Sequence, residues 1–231
     1  MSSYHRFAQH PKRHPHNPHW KCHYSGTFTG LPVYQHVNGP LIEQYLERSL
    51  HILQQAMACQ RRTFVCRMDL RFPEGYPAAT LDHHNVLLLN FWRYLKRELA
   101  ATAGKYRPCL RFLWAREHES SETHHYHLML LLNYEAIFTV GNYSPSPGGG
   151  YYRNNLTHRV VRSWARAIEW PLENMGGRVQ VCLHPNTPTP VEYCLRLGDD
   201  ETLASVFYAA SYLCKAYSKI PYGHSFGSSR L

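Results

Sequence analysis

Thr123-His124-His125-Tyr126-His127-Leu128-Met129-Leu130-Leu131-Leu132-Asn133 holds the most apolar strand-like run of the 231-residue chain. Five consecutive apolar residues between a polar histidine cluster and an asparagine fit a strand lodged in a core. Alternate side chains of a strand share a face, so His125 and His127 project together while Tyr126, Leu128 and Leu130 point the other way. Leu110 to His118 reads as the preceding strand. The polar link Glu119-Ser120-Ser121-Glu122 is of hairpin length, which makes the two strands antiparallel neighbours.

Working outward, Arg62 to Phe72 sets Phe64, Cys66, Met68, Leu70 and Phe72 on one face. Val65, Arg67, Asp69 and Arg71 form the other, so this is a strand with one buried and one largely polar side. Helices are predicted from the spacing of apolar residues at Leu81 to about Ala103, Leu156 to Trp170 and Leu203 to Lys219. A leading helix is expected to open at Asn38-Gly39-Pro40, with Ile42, Tyr45, Leu46, Leu53 and Ala56 on its stripe. Arg178 to His184 is a short strand. The order predicts an α+β fold with a small antiparallel sheet of about four to five strands, covered by helices on one face. Residues 1–38 read as a loosely ordered basic His/Pro-rich arm, and residues 39–231 as one principal domain.

Lysine and arginine total 25 against 16 acidic residues, a formal charge of +9, which favours a polyanionic partner, nucleic acid first. Charge alone leaves open a surface built only for solubility. Seven cysteines without a C-x-x-C read as mostly buried thiols in a reducing cytoplasm. No apolar stretch reaches the roughly 20 residues of a membrane span, and the His/Pro-rich start is not a signal peptide, so a soluble cytoplasmic protein is expected.

A histidine pair on one strand face suits a divalent cation, but with 17 histidines an H-x-H pattern also arises by chance, as in His14-Pro15-His16. A hard ion such as Mg²⁺ or Mn²⁺ wants an oxygen ligand too. Glu117, near the hairpin turn, shares the histidines' face if it pairs with His125, and Asp69 is the alternative. His14, His16, His19, Cys22 and His23 form a second, zinc-type candidate. In an uninterrupted final helix, Tyr208, Tyr212, Lys215 and Lys219 lie within about 60° of one another, opposite the apolar stripe. Two phenols beside two ammonium groups fit either a tyrosine nucleophile or a face that stacks nucleobases.

Together these pieces resemble the HUH endonuclease superfamily, and within it the rolling-circle replication initiators of filamentous phages (inoviruses) and related prophage proteins. The matching residues are Met68-Asp69-Leu70-Arg71-Phe72-Pro73, Trp114-Ala115-Arg116-Glu117, His124 to Asn133, Phe207-Tyr208-Ala209-Ala210-Ser211-Tyr212-Leu213-Cys214-Lys215, and Ser225-Phe226-Gly227-Ser228-Ser229-Arg230. They stand in the family's order and span roughly residues 40–231. The resemblance implies an HUH/Rep nuclease-like (ferredoxin/RRM-like) sheet. It also implies a Mg²⁺ or Mn²⁺ ion held by His125, His127 and a third ligand, Glu117. It further implies site-specific nicking and religation of single-stranded DNA through a 5′-phosphotyrosine link, with a free 3′-hydroxyl to prime synthesis. By motif Tyr212 is the primary nucleophile, Tyr208 the second tyrosine, and Lys215 the lysine near the phosphate. Arg67, Arg71 and Lys219 are expected to hold the strand. The implied partners are single-stranded DNA at a phage or plasmid origin and the host helicase and polymerase, with no membrane. No nucleotide cofactor is expected, since transesterification conserves the bond energy and no G-x-x-x-x-G-K-[ST] occurs. A non-catalytic nucleic-acid-binding module is the alternative, as is a relative of HUH transposases or plasmid relaxases.

Overall fold

A computed structural model describes residues 11–77, 81–101, 104–117, 125–219 and 223–230. In chain order the elements are β1 (Arg13–His14), β2 (Asn17–His23), β3 (Thr27–Phe28), β4 (Leu31–Pro32), β5 (Leu41–Ile42), α1 (Glu43–Cys59), β6 (Thr63–Arg71), α2 (Leu81–Ala100), β7 (Arg111–Glu117) and β8 (His125–Asn133). Then follow α3 (Leu156–Ala167), β9 (Val179–Val181), β10 (Glu192–Leu195), α4 (Asp200–Ser211) and β11 (Phe226–Ser228). The fold is α+β, as the sequence predicts.

The main sheet has six antiparallel strands in the order β10-β6-β8-β7-β11, with β9 also on β6. The histidine strand β8 is therefore interior, flanked by β6 (Thr63↔Asn133 to Arg71↔His125) and β7 (Arg111↔Leu131 to Glu117↔His125). The connection between β7 and β8, with His124, lies outside the described residues. Strands β10 and β11 lie in stretches where the sequence reading placed none, which is why the sheet exceeds the expected four to five strands.

Helices cover both faces of the sheet, not one. Phe64, Met68, Leu128 and Leu130 face a core with Phe91, Leu95, Val160 and Trp164 from α2 and α3. Val65, Met129, Leu131 and Leu113 face a second core with Leu46 and Leu53 of α1 and Val206, Phe207 and Ala210 of α4. The reason lies in β8 itself: an unbroken apolar run leaves both of its faces needing cover. Arg67, Asp69 and Arg71 make only the far end of the second face polar, and there the helical cover gives way to the site described below.

Of the boundaries that differ from expectation, three shape the site. The leading helix starts at Glu43, because Leu41 and Ile42 extend and pair with Cys22 and His23. Helix α4 starts earlier than expected, capped by Asp199, whose carboxylate accepts from the Thr202 N–H at 3.0 Å. It stops at Ser211, a 3-10 turn spans Tyr212–Cys214, and Lys215 is extended, bridging to Leu41. The expected helix to Lys219 is thus broken where the backbone turns back to pair with β5.

The described part of the arm, residues 11–38, carries strands. β1 and β2 form a hairpin, β2 joins β5, and Trp20, 8 % exposed, packs with Ile42, Ala216 and Tyr45. One indole buried against the start of α1 ties down a segment whose polar composition suggested none. Residues 1–10 lie outside the described residues. All seven cysteines are free thiols, but only Cys66 and Cys214 are buried, and Cys59 and Cys109 are exposed, so the expectation of mostly buried thiols fails. Among the described residues no helix is long and apolar enough to cross a membrane.

Gly227 of β11 shows one local requirement clearly. A Cβ there would stand 2.6 Å from the Trp114 indole nitrogen of β7, so the indole lies across bare backbone that only glycine leaves open.

Candidate functional site

Strand register assembles the site. His125 and His127 of β8 share a face with Glu117, opposite His125 on β7, and with Asp69, opposite His127 on β6. All four are nearly or wholly enclosed. The two histidine Nε2 atoms face each other at 3.1 Å, and His127 Nε2 is 3.0 Å from Glu117 Oε2. Two imidazole lone pairs directed at one point require a proton or a cation between them. Among the described residues this is the one group of three potential ligand side chains whose donor atoms converge, within 4.8 Å of one another. Among the described residues His14, His16, His19, Cys22 and His23 form no such converging group.

Asp69 lies outside the three converging donors and meets the outer nitrogen of His127 instead. The His127 Nδ1–H donates to Asp69 Oδ1 at 2.7 Å, which fixes the tautomer and leaves Nε2 free to ligate. Burial pushes the Asp69 carboxyl up, but His127 and then Arg67 outweigh it and hold it below its ordinary value. Burial and the neighbouring His127 push His125 down to about 4, so at neutral pH its ring is uncharged, the form a metal needs.

Glu117 is the most enclosed charge of the group. Lys219 Nζ lies 2.5 Å from Oε1 and Lys215 Nζ 2.8 Å from Oε2. Burial alone would raise its pKa, yet Lys219, His127 and Lys215 hold it far below the carboxylate range. The expected lysine face of a long helix is therefore corrected. Lys215 and Lys219 are 1 % and 6 % exposed and point inward, because the chain leaves helical geometry after Ser211 and folds both ammonium groups onto one carboxylate. Lys219 is wholly taken up by that role and is no surface contact for a nucleic acid. Burial lowers the Lys215 pKa, and Glu117 and then Tyr212 more than reverse this, so Lys215 stays charged.

Tyr212 begins the 3-10 turn and stands against the histidines, its ring centroid 5.2 Å from that of His127 and edge-on. Two cations flank the ring: Lys215 Nζ at 3.7 Å and the Arg67 guanidinium at 4.4 Å from its centroid. Tyr208 does not join this group. It is 46 % exposed, one turn back, with its ring 6.3 Å from that of Tyr34. Arg71 is exposed at the rim, donating to Gln180 Oε1 at 3.2 Å. Tyr126 points to the other face, as alternation requires, and its hydroxyl donates to the His84 carbonyl at 3.2 Å.

Two site neighbours escaped the sequence reading. Tyr34, in the supposed loose arm, lies 5.0 Å from Tyr212 between ring centroids, and His36 stacks beside it. No periodicity marks them; the only available signal was the aromatic density of the segment.

A family model described as the YagK/YfjJ C-terminal domain matches residues 24–229. The chain is similar to the Escherichia coli (strain K12) protein called "Uncharacterized protein YfjJ", at 29 % identity over 126 residues, which is 52 % of this chain and 55 % of that protein. The chain thus spans about half the length of that relative. It is also similar to "Uncharacterized protein YagK" of the same strain, at 22 % identity over 206 residues, 82 % of this chain and 93 % of that one. No solved structure matches.

Proposed function

The chain belongs to the YagK/YfjJ C-terminal domain family, and from its site we propose that it is an HUH-type, metal-dependent endonuclease that nicks and rejoins single-stranded DNA through Tyr212, as a rolling-circle replication initiator does. The observation that carries this reading is the meeting of Tyr212 with the converged histidines: a phenol 5.2 Å from His127 between rings, with Lys215 and Arg67 both against its ring. A sheet with the histidine strand in its interior and the tyrosine on a flanking helical segment supports the finer HUH/Rep-like, ferredoxin/RRM-like fold.

His125, His127 and Glu117 would hold the Mg²⁺ or Mn²⁺ ion, which when bound supplies Lewis acidity toward a phosphodiester oxygen. The residues fit such an ion: three convergent donors, one neutral imidazole, and a carboxylate on the outer nitrogen of the other. Tyr212 Oη attacks phosphorus, the P–O3′ bond breaks, and the 3′ oxygen leaves as a hydroxyl after taking up a proton. Lys215 offsets the negative charge that grows on the phenol oxygen and the phosphate as the proton is lost. Arg67 keeps the ring against the histidines, and Arg71 on the rim offers a phosphate contact. Religation is the reverse attack by a 3′-hydroxyl, so no nucleotide cofactor is needed. The partners are then an origin single strand of a phage or plasmid and the host helicase and polymerase, in the bacterial cytoplasm.

Incubation with phage or plasmid origin single strands and Mn²⁺ should give an SDS-resistant protein–DNA adduct that is absent with EDTA and absent in Tyr212→Phe. A chain that forms no metal-dependent adduct on any such strand is not this enzyme.

A further inference from the structure

The segment before β5 lies outside the stretch that resembles HUH nucleases, yet it is fixed along the tyrosine turn. The Tyr34 N–H donates to Ser211 Oγ, and that hydroxyl donates to the Tyr208 carbonyl, each at 2.7 Å. The Ala216 N–H donates to the Pro40 carbonyl, and Leu41 bridges to Lys215. Backbone contacts thus hold the segment, which leaves its rings available for another task. Tyr34 stands edge-on to Tyr212 at 5.0 Å, while His36 stacks 6.0 Å from Tyr34 at 21° and 4.8 Å from Tyr217 at 24°. The result is a ladder of three near-parallel rings beginning one ring away from the proposed nucleophile.

Rings that serve only as anchors are enclosed, as Trp20 and Phe207 are. Tyr34, His36 and Tyr217 are instead half-buried, beside the exposed Tyr208 and with Lys215 Nζ 5.5 Å above the Tyr217 ring. Near-parallel, partly open aromatic rings beside fixed cations are what a single-stranded nucleic acid meets when its bases stack and its phosphates are neutralised.

We propose that Tyr34, His36 and Tyr217 form a base-stacking subsite for single-stranded nucleic acid, positioning the nucleotides next to the scissile phosphate. Its placement beside a scissile phosphate rests on the nuclease reading; its capacity to bind bases does not.

The test compares, in EDTA so that no cleavage occurs, binding of the full chain to a thymidine oligonucleotide and to an abasic sugar-phosphate chain of equal length and charge. The wild type should prefer the thymidine strand. Tyr34→Leu, which keeps the backbone anchor and an apolar side chain, should lose about tenfold in affinity for it and nothing for the abasic chain. Tyr34→Phe should retain the preference, and Tyr217→Leu should reduce it in the same way should Tyr34→Leu fail to fold. An unchanged preference in both leucine variants overturns the subsite, whether or not the protein nicks DNA. A preference lost in Tyr34→Leu, together with the absence of any tyrosine adduct, upholds the subsite and sinks the nuclease. A wild type that binds both chains equally leaves the rings as anchors only and overturns the proposal.

Discussion

Replacing Glu117 with glutamine should unfold the site from within. Glutamine keeps the shape and removes the charge, so Lys215 and Lys219, 1 % and 6 % exposed, are left with no carboxylate at the end of either ammonium group. Stripping one partner from an enclosed ion pair typically costs about 3–5 kcal/mol. For a domain of this size that corresponds to a melting temperature lower by roughly 10 °C. Urea or thermal unfolding in EDTA measures it without interference from metal. Adding Lys219→Met in the Glu117→Gln background should recover much of the loss, because it removes the uncompensated charge and puts an apolar chain in its place. The single variant should also regain stability as pH rises toward the lysine range, because a lysine with a depressed folded pKa binds its proton more readily when unfolded. The reasoning is refuted if Glu117→Gln unfolds within about 1 kcal/mol of wild type, or if Lys219→Met brings no recovery.

Asp69→Asn should weaken Mn²⁺ binding by about 10- to 100-fold, measured by calorimetry, while the fold persists; unchanged affinity would remove Asp69 from its supporting role. Metal-free protein should lose stability as pH falls from 6.5 to about 4. His125, lowered to about 4 in the fold, takes up its proton first in the unfolded chain, so the loss is at most about 3 kcal/mol and none of it appears above pH 7. A urea-midpoint series across that window that stays flat in wild type, or slopes equally in His125→Ala, would disprove the linkage. Phe207→Ala, which empties a fully enclosed site on α4, should cost about 3–5 kcal/mol by denaturant titration. Tyr208→Phe should keep the metal-dependent adduct that Tyr212→Phe loses, since only Tyr212 meets the histidines; equal loss in both would contradict that placement.

Alternation along β8 was enough to place His125 and His127 together, and a hairpin-length link was enough to bring Glu117 opposite His125. Local pattern carried those features because strand parity is a local rule. The second helical layer was hidden by Arg67, Asp69 and Arg71, whose polarity marks a site and not a solvated face. The lysines were misplaced for a different reason. Helical periodicity extrapolates until a breaker appears, and no glycine or proline stands between Tyr212 and Lys219. What ends the helix is non-local: pairing with Leu41 and the pull of Glu117, far earlier in the chain. Tyr34 was missed similarly, since its role exists only once β2 and β5 have folded the arm back.

The bond from Lys219 to Glu117 spans 102 residues of chain, and this has a consequence for synthesis. At about 5–20 residues per second, a ribosome takes roughly 5–20 s to travel from one to the other. During that interval the histidine strand can already pair with its neighbours, but the carboxylate beside it has neither ammonium group. β11, which lines the outer edge of β7, is made later still. A nascent chain therefore holds His125, His127 and Glu117 before it holds the Tyr212 turn and the two lysines, and the enclosed carboxylate gains its full counter-charge only once Lys219 has emerged.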